Sequence, residues 1–499
     1  MACNINIENH EYLSKSLFIR GLQCHKSLYL KKYQPDLVGT PSEDQQARME
    51  SGQEIGVLAQ NLFPDGIEIP YEGLNYDEQL AKTDEAVKAG HTIYEGAFRY
   101  DNIFVKVDIL HKGVDGWGLY EVKGSTEVKE YYKNDLALQH YVLKNAGILV
   151  SKVYLVHINK HYVRSGEIEV DKLFISEDLT DIIQEKEGFV REEIEKMRNM
   201  LSGDLPAIDI GSYCGDPYPC DFSGHCWKHI PEGSVFELAG RGADRYDLYY
   251  RGIKRLIDIP TDILPNSQRI QVECARNKSS IIDKEQVREF LSGLWYPLYF
   301  LDFETYMHAI PPYDGMSPYQ HMPFQYSLYV QKSEEAPLKH YEYIAQPNVD
   351  PRRELIEKLL RQIPDGSCGL AYNSSFEVSR LNNLAVWFPE YKDTIAKITQ
   401  NIIDLAVPFK SKHVYSWEMG GSYSQKSVLP ALVPELTYDG MEIADGGMAM
   451  DAYFQMCTSH DQDEIERIRK ALLEYCKLDT LGMVKILEKL KAIAYSVKP

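Results

Sequence analysis

The segment Leu298-Tyr-Phe-Leu-Asp302-Phe-Glu304-Thr305 constrains this chain more than any other. Its apolar run is the pattern of a buried strand. Alternation sets Asp302 and Glu304 on one face of it, two residues apart. Two like charges buried side by side are costly unless cations neutralise them. The strand is therefore expected inside a sheet, with its carboxylates forming part of a divalent-metal cage. Far downstream, Tyr475 and Asp479 stand four apart on one helix face, so phenol and carboxylate can point at the same centre. Between them, Ala371-Tyr-Asn373-Ser-Ser-Phe-Glu377 sets an Asn and an acid at a strand-to-helix junction. Asp404, in Ile403-Asp404-Leu405, is a rival acid for the same place.

A second acidic set lies in the first half of the chain. Asp108 sits near the end of the alternating strand 102–110, and Glu121 and Lys123 share one face of strand 116–123. If these strands pair as a hairpin, Asp108 can approach both. Two carboxylates can then hold a cation that polarises a phosphoryl oxygen and lowers the pKa of bound water. Lys123 can orient that water or stabilise transition-state charge. Asp135 and Gln139 lie one turn apart on the next helix, 132–145, so both can face the site.

Around these sets the chain reads as α/β and multidomain. Residues 97–158 are expected as strand, strand, helix, strand, and 181–201 as a charged amphipathic helix. A mainly helical connector covers 235–290, and a second α/β pattern starts at Pro297 and ends in a helix over 463–490. Domains are expected at 1–234, 235–290 and 291–499, since 499 residues exceed one core. Gly420-Gly-Ser-Tyr-Ser-Gln-Lys426 is a Gly-rich turn entering a helix whose N-terminus, with Lys426, can receive phosphate. Leu248-Tyr-Tyr-Arg-Gly-Ile-Lys-Arg-Leu has the look of a helix-hairpin-helix.

Cys214, Cys220 and Cys226 are evenly spaced in a turn-rich loop suited to a soft metal centre. Cys24 is the best candidate for the fourth ligand. The chain has nine cysteines, no apolar run of membrane length and no hydrophobic core in the polar stretch Met1–Lys15. Thiols or metal ligands in a cytoplasmic protein are expected, not disulfides or a membrane anchor. The net charge of −20 counts against general attraction to nucleic acid, though carboxylate cages contribute to it. No Walker A motif is present, so helicase activity would have to come from a partner protein.

The Asp108, Glu121-Val122-Lys123 and Gln139 pattern resembles the PD-(D/E)xK superfamily, in the RecB-like branch that includes the CRISPR-associated adaptation nucleases. That branch carries a Tyr four residues after the Gln, where this chain has Leu143, with Tyr141 the nearest phenol. It also uses an early His, which Gly52–Gln60 lacks, so Gln60 or Glu95 is the expected substitute. With Cys24, Cys214, Cys220 and Cys226 the resemblance extends to RecB-like iron–sulfur nucleases. It implies a [4Fe–4S] cluster stapling the two ends of the domain, with zinc as the alternative.

Asp302, Glu304, Tyr475 and Asp479 resemble a DnaQ-like 3′–5′ exonuclease of the DEDD group, Tyr subtype, on an RNase H-like fold. Glu377 stands where that group has Asp. The resemblance implies that Asp302, Glu304, Glu377 and Asp479 hold Mg²⁺ or Mn²⁺ and that Tyr475 positions the attacking water. The whole chain is similar to a prokaryotic family that fuses the two nuclease types. The expectation is a metal-dependent nuclease acting on DNA in preference to RNA, in repair or defence. The alternative is a nucleic-acid-binding scaffold with one or both centres silent.

Overall fold

The computed structural model describes residues 12–39 and 52–495 of an α/β chain with two compact units. Of the polar stretch Met1–Lys15, residues 1–11 lie outside the described residues. One unit runs to His229 and also takes His308–Tyr319; the other holds Ile230–Met307 and Gln320 onward. Among the described residues no helix is long and apolar enough to cross a membrane.

The first unit is built on a seven-stranded sheet: β1 (Leu13–Ser14), β2 (Ile67–Glu68), β3 (Ile93–Tyr100), β4 (Ile103–Lys112), β5 (Trp117–Lys123), β6 (Val150–Ile158) and β7 (Phe174–Asp178). β2 to β7 lie side by side in chain order, and β1 pairs with β4. β3, β4 and β5 form an antiparallel meander, whereas β5 and β6 are parallel. A parallel pair needs a crossover, and the helix Glu130–Asn145 supplies it. Its Leu136 and Val142 pack with Val105, Val107 and Leu119 of one sheet face. On the other face, Ile109, Val122 and Val156 pack with Ile55 and Ala59 of the helix at 52–59 and with Ala309. β3 was not anticipated, and the helix read at 181–201 is two helices, Thr180–Glu185 and Glu187–Leu201.

The excursion His308–Tyr319 is held within this first unit by specific bonds. His308 Nε2 lies 3.0 Å from Glu54 Oε2. Arg164 Nη1 donates to the carbonyls of Pro311 and Pro312 at 2.8 and 2.7 Å. The Tyr319 hydroxyl donates to the Gly124 carbonyl, immediately after Lys123. A Cβ at Gly124 would stand 2.8 Å from Ile55 Cδ1, so a larger residue there would have to displace the end of that side chain.

The second unit has strands β8 (Ser280–Ile282), β9 (Leu298–Tyr306), β10 (Met322–Gln331), β11 (Lys339–Ile344), β12 (Cys368–Ala371), β13 (Ile402–Asp404) and β14 (Val414–Ser416). Five of them form one sheet in the order β11-β10-β9-β12-β13, and β8 pairs with β14 separately. β9 is central, antiparallel to β10 and parallel to β12. The C-terminal helix Gln462–Tyr495 buries Ile468, Leu472, Tyr475, Cys476, Met483, Leu487 and Leu490, the stripe of an amphipathic helix. Gln325 of β10 donates to its Leu472 carbonyl at 2.8 Å.

The span expected as a connector, 235–290, belongs to this second unit. Its buried Leu248, Leu256, Val272 and Val287 need apolar neighbours, and Gln271 Nε2 ties it to the Gly420 carbonyl. The expected helix-hairpin-helix is a six-residue helix, Arg245–Tyr250, followed by a 3-10 turn at Leu256–Asp258. Gly252, at φ 87°, follows the first helix, and the next α-helix begins only at Asn266, after two 3-10 turns.

Two candidate acidic centres

In the first unit the β4–β5 ladder ends at the pair Ile109 and Tyr120, one step before Asp108 and Glu121. The strands part there, and Asp108 Oδ2 bridges the opening by accepting from Val122 N at 2.7 Å. Glu121 and Lys123 point to the face covered by Glu130–Asn145, which brings Asp135 and Gln139 to them. Gln139 Nε2 donates to Glu121 Oε2 at 2.7 Å. Lys123 Nζ reaches Glu121 Oε1 at 2.5 Å and Asp135 Oδ2 at 2.9 Å. Lys15, which the sequence reading missed, reaches the same two oxygens at 2.8 and 3.7 Å. No local spacing connects Lys15 to a site so far along the chain.

Burial opposes ionisation of Glu121, but Lys123 and Lys15 hold its carboxyl well below the usual range. Asp108, buried and facing Glu121, is pushed up to about 7. Asp135 Oδ1 and Gln139 Oε1 are buried acceptors with no hydrogen-bond partner. Unsatisfied acceptors beside anionic groups fit a cation. Glu95, with φ 55° at an interruption of the β3–β4 pairing, is pushed up by burial and feels Glu121. Gln60 instead lies in the turn Gln60–Leu62, where its carbonyl accepts from Tyr94. Tyr141 does not substitute for the missing phenol, because its ring packs on Tyr100. Tyr132 is the aromatic beside the site, with its ring 5.5 Å from Lys123 Nζ.

The four cysteines of the expected set line one small cavity with Phe222, Ile208 and Ile210. Cys24 joins the helices Lys15–Gln23 and His25–Tyr33. Burial pushes its thiol up, while backbone N–H groups of Ser27 and Lys26 favour the thiolate. Gln23 Nε2 donates to the Tyr213 and Tyr218 carbonyls, and Arg20 pairs with Asp221 at 2.5 Å. The thiol-bearing loop is thus tied to the helix that carries Lys15.

In the second unit the carboxyl ends of β9, β12 and β13 lie along one edge of the sheet, where open α/β sheets bind ligands. Asp302 and Glu304 come from β9, opposite Ser327 and Gln325 of β10. Asp302, Glu304 and Cys476 bring ligand atoms within 4.8 Å of one another, with Cys476 Sγ 3.4 Å from Asp302 Oδ2. Cys476 follows Tyr475 and precedes Asp479 by three residues, so helical spacing offered a signal for it that was not used.

Asp479 accepts hydrogen bonds from the Tyr438 and Tyr475 hydroxyls. Gln425 Nε2 donates to its carbonyl at 2.6 Å. Lys426 Nζ lies 5.7 and 5.5 Å from the Tyr438 and Tyr475 ring centres, and its charge favours ionised Glu304 and Asp479. Tyr438 comes from a loop and had no spacing signal. Asp302 and Glu304 are pushed well above the usual carboxylate range by burial, then by Asp479 and by one or more other carboxylates.

Glu377, from the first turn of the helix Ser375–Trp387, raises both of them electrostatically. Burial pushes Glu377 itself up to about 8, and its Oε2 is buried without a partner. The rival Asp404 spends Oδ1 on the Asn373 and Ala406 amides, both at 2.9 Å. It shapes the junction from which Glu377 projects.

The chain therefore carries two α/β units, each with a buried acidic cluster at a strand end. A family model described as a domain of unknown function (DUF2779) matches residues 299–424, about a quarter of the chain. The match takes in Asp302, Glu304, Glu377 and Asp404 and stops before Tyr475 and Asp479. No curated protein matches the chain.

Proposed function

We propose that the chain is a divalent-metal-dependent nuclease with two hydrolytic centres, acting on DNA in preference to RNA. The observation that carries this reading is the convergence of Asp302, Glu304, Glu377 and Asp479 in one buried cluster, with an orphaned Glu377 oxygen and two cationic side chains to offset four carboxylates, Lys426 beside Glu304 and Asp479 and Arg380 beside Glu377. Such a cluster fits cations, which supply Lewis acidity and a lowered water pKa. Asp302, Glu304, Glu377 and Asp479 would hold them. Tyr475, bonded to Asp479, would orient the water whose oxygen joins phosphorus as the P–O bond to the leaving nucleotide breaks. The order β11-β10-β9-β12-β13 supports an RNase H-like, DnaQ-type exonuclease.

In the first unit, the β3–β4–β5 meander crossing over to β6 supports a PD-(D/E)xK, RecB-like domain. Asp108 and Glu121 would hold a cation, Lys123 would face developing charge, and Gln139 would orient Glu121. The four cysteines would ligate a [4Fe–4S] cluster. Four thiolates around one cavity could equally hold tetrahedral zinc, which is the alternative.

A second reading, a nucleic-acid-binding scaffold, draws on the first centre, where both Glu121 oxygens are already engaged by Lys15, Lys123 and Gln139. The deciding experiment digests 5′- and 3′-labelled single-stranded DNA and RNA with Mn²⁺. It compares wild type with Asp302→Ala and Lys123→Ala. Two product ladders, each lost in one variant, are expected. Intact substrate with every protein, with the labelled strand shifted in a gel, would favour the scaffold or a centre that waits for a partner. An anaerobic preparation is expected brown, with bound iron and sulfide that Cys220→Ser loses; a colourless, zinc-loaded wild type would reject the cluster.

A further inference from the structure

The first centre contains two ammonium groups where its chemistry asks for one. Lys15 and Lys123 converge on the same two oxygens, Glu121 Oε1 and Asp135 Oδ2. Three carboxylates, Asp108, Glu121 and Asp135, thus face two fixed positive charges. One divalent cation more than neutralises what remains, whereas a second would leave a large positive excess in a buried place.

Lys15 is also held in position from both sides. Its N-terminal neighbour Ser14 lies in β1, paired with Phe104 of β4, and caps the Lys15–Gln23 helix through the Leu17 amide. The far end of that helix is fixed by Arg20–Asp221 and by Gln23 on the cysteine loop. A mobile surface lysine would have neither anchor.

We propose that Lys15 takes the place of a second metal ion, so that the first centre binds a single divalent cation. This rests on the nuclease reading of that centre and adds to it a built-in cation supplied from the N-terminal helix. The Lys15 ammonium balances the Glu121–Asp135 pair permanently, and the metal is left to Asp108 and Glu121.

The test counts Mn²⁺ ions bound per full-length chain by electron paramagnetic resonance. The background is Asp302→Asn with Asp479→Asn, which empties the second centre. One ion is expected with Lys15 present and with Lys15→Arg, and two, with the dipolar broadening of a close pair, for Lys15→Met. The metal-free Lys15→Met protein should melt lower than its parent and regain the difference with Mn²⁺, which separates an unfolded variant from a refilled site. One ion in Lys15→Met, or two with Lys15 intact, would overturn the inference while leaving the nuclease reading standing. No ion in any of these proteins, and no change on adding Glu121→Gln, would overturn the metal reading of the first centre and this inference with it.

Discussion

The two acidic clusters solve the same problem in opposite ways. At the first, the chain brings its own cations: Lys15 and Lys123 lie within 2.8 Å of Glu121, whose carboxyl is held well below its ordinary range. At the second, Asp302, Glu304, Glu377 and Asp479 crowd together, and burial with mutual repulsion pushes Asp302 and Glu304 well above theirs. A buried carboxylate is stable only if something pays for its charge. The first cluster settles Glu121 with two ammonium groups, though Asp108 stays raised; the second sets Lys426 and Arg380 against four carboxylates and leaves Asp302 and Glu304 raised. Similar residue types therefore yield one centre largely balanced from within and one that is not.

That contrast predicts mutations of opposite sign in metal-free protein. Glu121→Gln leaves Lys15 and Lys123 with Asp135 as their one remaining ion-pair partner among the described residues. Breaking a buried pair from one side costs about 3–5 kcal/mol, less here because Asp135 stays. Asp302→Asn removes a charge that its neighbours oppose, so the same melting experiment in chelator should give a higher transition for the second unit. With Mn²⁺ present the sign at Asp302 should reverse, because the variant has lost a ligand. If both substitutions lower the metal-free transition alike, the two clusters do not differ as described.

The sequence made the contrast only half legible. Asp302, Glu304, Tyr475 and Asp479 could be found because a strand alternates and a helix repeats every turn, so short spacings report a shared face. The same logic located Asp108, Glu121, Lys123 and Gln139, along with most strands and helices around both sites. Lys15 and Tyr438 were invisible, since each reaches its centre through tertiary packing from a segment with no periodic link to it. The discontinuity of the first unit is hidden for a related reason. His308–Tyr319 follows β9 in sequence, yet Ala309, Arg164 and Tyr319 anchor it to the first unit, and only contacts far apart in the chain report that. Cys476 could have been found, because it lies on the helix face already chosen for Asp479.

The smallest expected effect tests how the second centre keeps any of its carboxylates ready for a cation. Burial raises Asp479, while hydrogen bonds from Tyr438 and Tyr475 pull it back toward ionisation. Tyr438→Phe removes one of those donors without touching the ligand set, so Asp479 should rise further. The metal competes with a proton for this carboxylate, and the penalty therefore grows as pH falls and fades once the group ionises in both proteins. A hydrogen bond to a charged group contributes about 1.5 kcal/mol, which corresponds to roughly tenfold in binding. The Mn²⁺ concentration for half-maximal 3′ release should rise by up to about tenfold at the acid end of the working range and by less at the alkaline end, with the saturated rate little changed. A shift of equal size at both ends would mean that Tyr438 positions Asp479 sterically, and a fall confined to the saturated rate would assign the Tyr438 hydroxyl to the water instead.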